Sequence, residues 1–434
     1  MKIAPRVMAL AILLASGNAA AQDIRDVDLC ALPLERPMRA VHAGGNWGDN
    51  RLTVEAWEED TSKPLVPSDY VAFLQDLRVN WIGLSVALHY DDSMDSTVER
   101  VYSTDIQIPT FPDRALRQYI REFKEHGFDV YLTLAFEAFE AEEAQRPVSR
   151  GQLGRPAVPD YGPAIRPENW PWLPNHTDHT RFVREFWSTY TDQAVHYARL
   201  AHEEGVGMYS LGTETDSLFR SRSGGNYWVN DYGDQLRTMV ESVRAEYDGL
   251  LTYTMLYLAT MDDWFDPGSK YLWEDLDLDV VGVSGYYPLA ESPPDTVMNV
   301  ETLQQSYNRL FRDHLLPLAA ENTGRPLVFT EYGAMDAVEA PSDPGNYGRQ
   351  GEPFEFSDSN GNGVDDGRET QAGIYRALFQ TMDRYPGTIH GTFFWDTAIA
   401  SDELWQSFWA AARSFNIRGK PASEIVQRQY ACYE

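Results

Sequence analysis

Two glutamates, each closing an apolar run, are the residues of this sequence best placed to do chemistry. One ends Ser210-Leu211-Gly212-Thr213-Glu214 and the other lies in Phe329-Thr330-Glu331-Tyr332-Gly333. A carboxylate at the end of a buried strand sits at a sheet rim, where its charge can meet a substrate and is spared the desolvation cost of a core. A pair of them can cleave a glycosidic bond: one carboxyl protonates the departing oxygen while the other attacks the anomeric carbon or activates water. Asp216 is the nearest rival carboxylate, but by that position the chain should have left the strand.

A second pattern points to a metal. Asp358, Asn360 and Asn362 stand at positions one, three and five of a twelve-residue stretch, Gly363 at six, Val364 at seven, Asp366 at nine and Glu369 at twelve. This is the order of oxygen ligands in a calcium loop, in which Val364 offers its carbonyl, Asp366 acts directly or through water, and Glu369 binds through both oxygens. The competing interpretation is an acidic, glycine-rich surface turn. Gly351-Glu352-Pro353 argues against a helix ahead of the loop, so a paired sensor module is not expected. Calcium would instead have a structural use, organising the long connection after Glu331.

The elements that must position these groups alternate regularly. Apolar, β-rich runs occur at 38–43, 81–88, 129–135, 207–211, 250–255, 280–284, 327–330 and 388–395. Amphipathic stretches with helical spacing lie between them, at 113–126, 180–204, 231–247, 300–322 and 369–385, with a weak one at 271–276. Eight repeats of strand and helix, with near-continuous apolar strands, predict an α/β fold in which residues 22–434 form a single (β/α)8 TIM barrel with the calcium loop inserted at 358–369. Long connections at 46–67, 138–179 and 334–368 follow strand C-terminal ends, the face on which such barrels build their sites. Trp170 and Trp172 in the second could stack on sugar rings or pack the loop onto the barrel. Asn46, Trp47, His89 and Glu137, also near strand ends, could contact hydroxyls or brace loops.

Residues 1–21 read as a secretory signal: Lys2 and Arg6, the apolar run Val7 to Ala15, then Ala19-Ala20-Ala21 before Gln22. Cleavage there predicts a secreted or periplasmic protein, and no later run is long and apolar enough to span a bilayer. The formal net charge of −30 excludes nucleic acid and anionic membranes as natural partners and favours neutral or cationic ligands. Cys30 and Cys432, the two cysteines, are expected to form a disulfide joining the chain ends in an oxidising compartment. Phosphate-loop, nucleophile-elbow and zinc-protease motifs do not occur. His176 and His179 lack a clear third ligand for a metal, and an amidohydrolase barrel would need a histidine pair where only His42 is found.

Gly212-Thr213-Glu214 at the fourth strand end, Thr330-Glu331-Tyr332-Gly333 at the seventh and Phe394-Trp395-Asp396 at the eighth resemble the clan A glycoside hydrolases. Within that clan, Trp170-Pro171-Trp172, Phe186-Trp187-Ser188-Thr189-Tyr190 and Tyr197-Ala198, leading into Leu211-Gly212-Thr213-Glu214, are similar to glycoside hydrolase family 113, the β-mannanases. The resemblance implies a retaining double displacement on a carbohydrate such as β-mannan, with Glu214 as general acid and base and Glu331 as nucleophile. Retention requires carboxyls about 5 Å apart. It further implies Trp395 as a platform beneath the cleaved sugar, and Tyr286 or Tyr287 as the residue that orients the nucleophile. Neighbours on a strand face opposite sides, so the sequence leaves both tyrosines open. Where many clan members carry asparagine for the sugar 2-hydroxyl, this chain has Thr213, whose hydroxyl can donate one bond. A non-catalytic carbohydrate-binding barrel and a transglycosylase are the competing functions, and oligomeric state has no signature in the sequence.

Overall fold

A computed structural model of the chain describes residues 38–44, 63–90, 95–102, 108–138, 177–215, 220–223, 227–230, 233–261, 273, 276–345, 351–408, 410 and 412–433. Eight parallel strands close into a barrel: β1 (Met38–Gly44), β2 (Trp81–Tyr90), β3 (Asp129–Ala138), β4 (Met208–Thr213), β7 (Leu250–Leu256), β8 (Val281–Ser284), β9 (Leu327–Tyr332) and β10 (Gly391–Ala398). Each coincides, within a few residues, with one of the eight apolar runs. All six residues of β4 and of β9 are buried, because helices cover the outer face while side chains fill the inner one.

Between the strands lie α1 (Ser68–Asp76), α2 (Asp113–Glu125), α3 (Thr177–Glu204), α4 (Gly233–Arg244), α5 (Val300–Leu310), α6 (Leu316–Glu321) and α7 (Asp366–Arg384), followed near the C-terminus by α8 (Asp402–Phe408) and α9 (Pro421–Ala431). In α2, Ala115, Leu116, Tyr119, Ile120 and Phe123 make the buried stripe that period 3.6 requires. Asn299 caps α5 by accepting from the Thr302 amide at 2.8 Å. The helix expected over 300–322 is interrupted by one π-helical turn, Phe311–Leu315. Most of the weak 271–276 segment lies outside the described residues, as do the signal segment and the loop carrying His176. An antiparallel hairpin after β4, β5 (Arg220–Ser223) with β6 (Tyr227–Asn230), was not expected, although Gly224-Gly225-Asn226 ahead of Tyr227-Trp228-Val229 is a hairpin signal.

The barrel interior is layered. At the N-terminal end of the strands Met38, Ala40, Tyr131, Met208, Val280, Val328 and Phe393 pack together. Toward the C-terminal ends the filling becomes hydroxyl-rich: Thr133 meets Thr213 at 2.9 Å, Tyr131 meets Thr254 at 2.9 Å, and Thr254 donates to Thr330 at 2.9 Å. Buried hydroxyls require partners, and here they supply one another. This layer is the floor on which the two glutamates stand.

Candidate active site

Strict alternation would misdirect the nucleophile candidate. Val328 faces the barrel interior and so does Thr330, which would send Glu331 outward among the helices. The register shows why it does not: Val283 pairs with Phe329, but Ser284 pairs with Glu331, so Thr330 is an extra residue in β9. This bulge resets the alternation and turns Glu331 to the same side as Ser284. The peptide carbonyl of Thr330 is taken by His42 of β1, whose Nε2 lies 2.7 Å away. A carbonyl only accepts, so Nε2 holds the proton. Burial is the larger influence on that ring and the Thr330 bond opposes it; together they bring its pKa down to about 4 and keep it neutral.

The strand that carries the other glutamate is built alike. Ser210 pairs with Thr252 and Thr213 with Thr254, three steps against two, so β4 carries a bulge at Leu211-Gly212. Glu214 then adopts φ 56°, a left-handed conformation uncommon for a residue with a side chain, and its amide donates to the Thr254 carbonyl at 2.9 Å. A third irregularity falls between Phe394 and Thr397 of β10, spanning Trp395 and Asp396. A Cβ on Gly333 would come within 2.6 Å of the Trp395 carbonyl, so only glycine lets the end of β9 pass this strand so closely.

Ser284 brings the two glutamates together. Its backbone is paired with Glu331, its neighbour Gly285 donates to the Glu331 carbonyl at 2.7 Å, and its hydroxyl donates to Glu214 Oε1 at 2.5 Å. Paired strands stand roughly 4.8 Å apart, so the serine that holds the Glu214 carboxyl is the residue beside Glu331 on the next strand, which puts the two glutamates at neighbouring positions of the rim, as a retaining pair requires. Tyr286 donates to Glu331 Oε1 at 3.1 Å and resolves the choice between the tyrosines. Tyr287 is turned the other way, with its hydroxyl 2.6 Å from Thr260 and its ring 6.0 Å from that of Phe329, so it is corrected as a candidate for orienting the nucleophile or meeting substrate.

Trp395 lies on β10, 5% exposed, with its ring 5.2 Å from that of His42. Thr213 is a member of the buried hydroxyl layer, bonded to Thr133, and does not present its hydroxyl to the cleft. For His89 the geometry follows the loop-bracing alternative and not contact with a sugar hydroxyl: Nε2 lies 2.8 Å from the Ile108 carbonyl and Nδ1 3.3 Å from Thr110, so both nitrogens hold the loop after β2. Trp47, Trp170, Trp172, Asn46 and Asp216 lie outside the described residues, as does the side chain of Glu137. Ser284 and His42 were missed as site residues because neither carries a charge that marks a strand end.

The loop ahead of α7 wraps its polar groups inward. Asn360 and Asn362 both donate to Glu369 Oε2 at 2.9 Å, and Asp358 accepts from the amides of Asn362 at 3.0 Å and Gly363 at 2.8 Å. Val364 is fixed by its amide, which donates to Asn362 Oδ1 at 2.8 Å. The carboxylate of Asp366, expected to act directly or through water, accepts from the Ser357 hydroxyl at 2.7 Å and the Ser359 amide at 3.1 Å. Among the described residues no group of three or more histidine, cysteine, aspartate or glutamate side chains stands in metal-binding array.

Beside the loop, Arg413 holds Asp365 through both oxygens, at 2.6 and 3.1 Å, and donates to the Asp336 carbonyl at 2.8 Å. Burial is the largest single influence on the Asp365 carboxylate and works against it, but Arg413 together with the Ser357 and Arg368 amides brings its pKa below the ordinary value. Asp336 in turn pairs with Lys420 at 3.0 Å. A chain of buried charge thus runs from the loop to the segment after Glu331. Cys432 caps α9, and Cys30 lies outside the described residues.

The barrel, the rim position of the glutamates and their shared serine define the class: this is a glycoside hydrolase of clan A, built for retention. The sequence over residues 173–420 matches the model of Glycoside Hydrolase Family 113, and the chain belongs to that family. A GH113 β-mannanase from Alicyclobacillus acidocaldarius, AaManA in complex with ManMIm, is similar in fold at 18% identity and TM-score 0.60, covering 94% of this chain and 100% of that one. A GH113 β-1,4-mannanase complex matches at 16% identity and TM-score 0.60, with 91% and 98% covered. A family 5 mannosidase from Rhizomucor miehei follows at 10% identity and TM-score 0.51, with 91% and 92% covered. No curated protein matches the chain.

Proposed function

We propose that the chain is a secreted β-mannanase that works by double displacement. The observation that carries this reading is the pairing of Ser284 with Glu331 while its hydroxyl holds Glu214. In the first step Glu331 attacks the anomeric carbon as the bond to the leaving oxygen breaks, and Glu214 gives that oxygen its proton. In the second, Glu214 takes a proton from water as the water oxygen bonds to the anomeric carbon and the ester to Glu331 breaks. Tyr286 orients the nucleophile, and Trp395 forms the floor under the sugar. The substrate class rests on family membership and on the mannanases and the mannosidase that share the fold.

The test is a panel of mannan, glucan and xylan, with the anomer released first read by proton NMR and Glu331→Ala as control. Cleavage of mannan with retention, abolished in the variant, supports the reading; an inverted first product, or an active Glu331→Ala, overturns it. Export is tested by the N-terminus of the protein recovered outside the cytoplasm, expected at Gln22. The proposed Cys30–Cys432 disulfide is tested by non-reducing mass mapping.

Calcium is proposed as a structural ion held by Asp358, Asn360, Asn362, the Val364 carbonyl and Glu369. The donor set fits: these are hard oxygen ligands, and turning the two asparagine amides would direct their oxygens at the centre where Glu369 now receives their hydrogens. Bound there, calcium would supply charge neutralisation for the carboxylates, and Arg413 would couple the ordered loop to the segment that follows Glu331.

A further inference from the structure

Ser284 donates to Glu214 Oε1 at 2.5 Å from the end of the strand that pairs with Glu331. The residue is fully buried and its backbone is fixed by ladder bonds, so its hydroxyl has little freedom to reach anything else. A hydroxyl is both donor and acceptor. It can donate to Glu214 as a carboxylate and, by rotating, accept from Glu214 as an acid. The reaction asks for both: Glu214 loses its proton to the leaving oxygen in the first step and regains one from water in the second. The serine also fixes where the carboxyl points, and the left-handed backbone of Glu214 leaves that direction in need of an external hold.

We propose that Ser284 is a positioning residue for the acid/base glutamate, holding its carboxyl over the scissile oxygen in both protonation states. This deepens the reading above and rests on it. Its action through proton transfer predicts a dependence on the leaving group that a merely structural residue would not show. Hydrogen bonds to charged groups are strong enough that their loss corresponds to a rate change of about tenfold or more.

The experiment measures kcat/KM, which reports the first irreversible step, for Ser284→Ala, Ser284→Thr and Glu214→Ala on aryl β-mannobiosides of graded leaving-group acidity and on a manno-oligosaccharide. Ser284→Ala is expected to lose about tenfold or more on the oligosaccharide and on poor aryl leaving groups, and less than about threefold on the 2,4-dinitrophenyl substrate, which needs no proton. Ser284→Thr should recover most of the loss. Glu214→Ala should show the same trend more steeply. A Ser284→Ala loss that is uniform across leaving groups, or no loss at all, overturns the proposal while leaving Glu214 in its role. If Glu214→Ala itself shows no such trend, it is the acid/base assignment that fails.

Discussion

Replacing His42 with leucine tests whether the bulge at Thr330 positions the nucleophile. The ring is 2% exposed, and its one hydrogen bond is to the Thr330 carbonyl at 2.7 Å, with Nδ1 unpartnered among the described residues. Leucine is close enough in size to keep the contacts with Tyr131, Phe393 and Trp395 largely filled, so the main loss is the partner of a buried carbonyl, about 1–3 kcal/mol. If the loosened bulge lets the Glu331 carboxylate drift by roughly 1 Å, kcat should fall by about 10- to 100-fold. Glutamine can still donate to the carbonyl, so His42→Gln should retain more of both stability and activity.

The pH dependence sharpens the test. The His42 pKa is lowered from 6.5 to about 4 in the folded chain, so between those values the unfolded state binds a proton that the folded state does not. Stability from this residue is therefore complete above pH 6.5 and is lost as pH falls toward 4, by about 3 kcal/mol at most. The leucine variant has no such group. Denaturant unfolding should show it about 1–3 kcal/mol less stable than wild type at neutral pH, with the gap closing or reversing near pH 4.5. A gap that stays constant across the range, or a leucine variant with unchanged kcat, would refute the reasoning.

Tyr286→Phe removes a donor to Glu331 Oε1 and should lower kcat/KM about 10- to 100-fold, whereas Tyr287→Phe should leave activity within about threefold while lowering thermal stability. Chelation should lower the melting temperature of the wild type, and Glu369→Gln should abolish that response; isothermal titration with calcium alone reads the same site without activity. Asp396 is raised from 3.8 to about 7, chiefly by burial and in opposition to Lys420, so wild type should lose stability from this group as pH rises from about 4 to 7. Asp396→Asn lacks the titration and should gain on wild type over that interval, by up to a few kcal/mol, as read by unfolding at each pH.

The strands were legible because a parallel barrel buries both faces of each, leaving apolar runs such as Val281–Ser284 and Leu327–Tyr332 with little else to be. Glu214 and Glu331 were legible because charge is out of place at the end of such a run. Tyr286 against Tyr287 was not, since that choice depends on where the chain leaves β8: Gly285 still donates to the Glu331 carbonyl but accepts from the Tyr287 amide, so the chain turns there and the turn sets the facing of the next two residues. The hairpin after β4 had its Gly-Gly-Asn turn signal in the sequence, between strands of only four residues each.

What could not be read is the register. Alternation counted along Val328, Phe329, Thr330 and Glu331 gives the wrong face for Glu331, and nothing in those side chains announces the extra residue. The three bulges, in β4, β9 and β10, fall immediately before or at Glu214, Glu331 and Trp395. A regular strand can aim only alternate residues at the axis, so a barrel that keeps a hydroxyl floor at Thr213 and Thr330 has no regular way to present the very next residue to the cleft. Inserting one residue does so, at the cost of a freed carbonyl or a left-handed backbone. His42 takes up the first of these at Thr330, and Ser284 steadies the second at Glu214. The same displacement explains why these two uncharged-looking strand residues matter to the chemistry: each satisfies what a bulge leaves open.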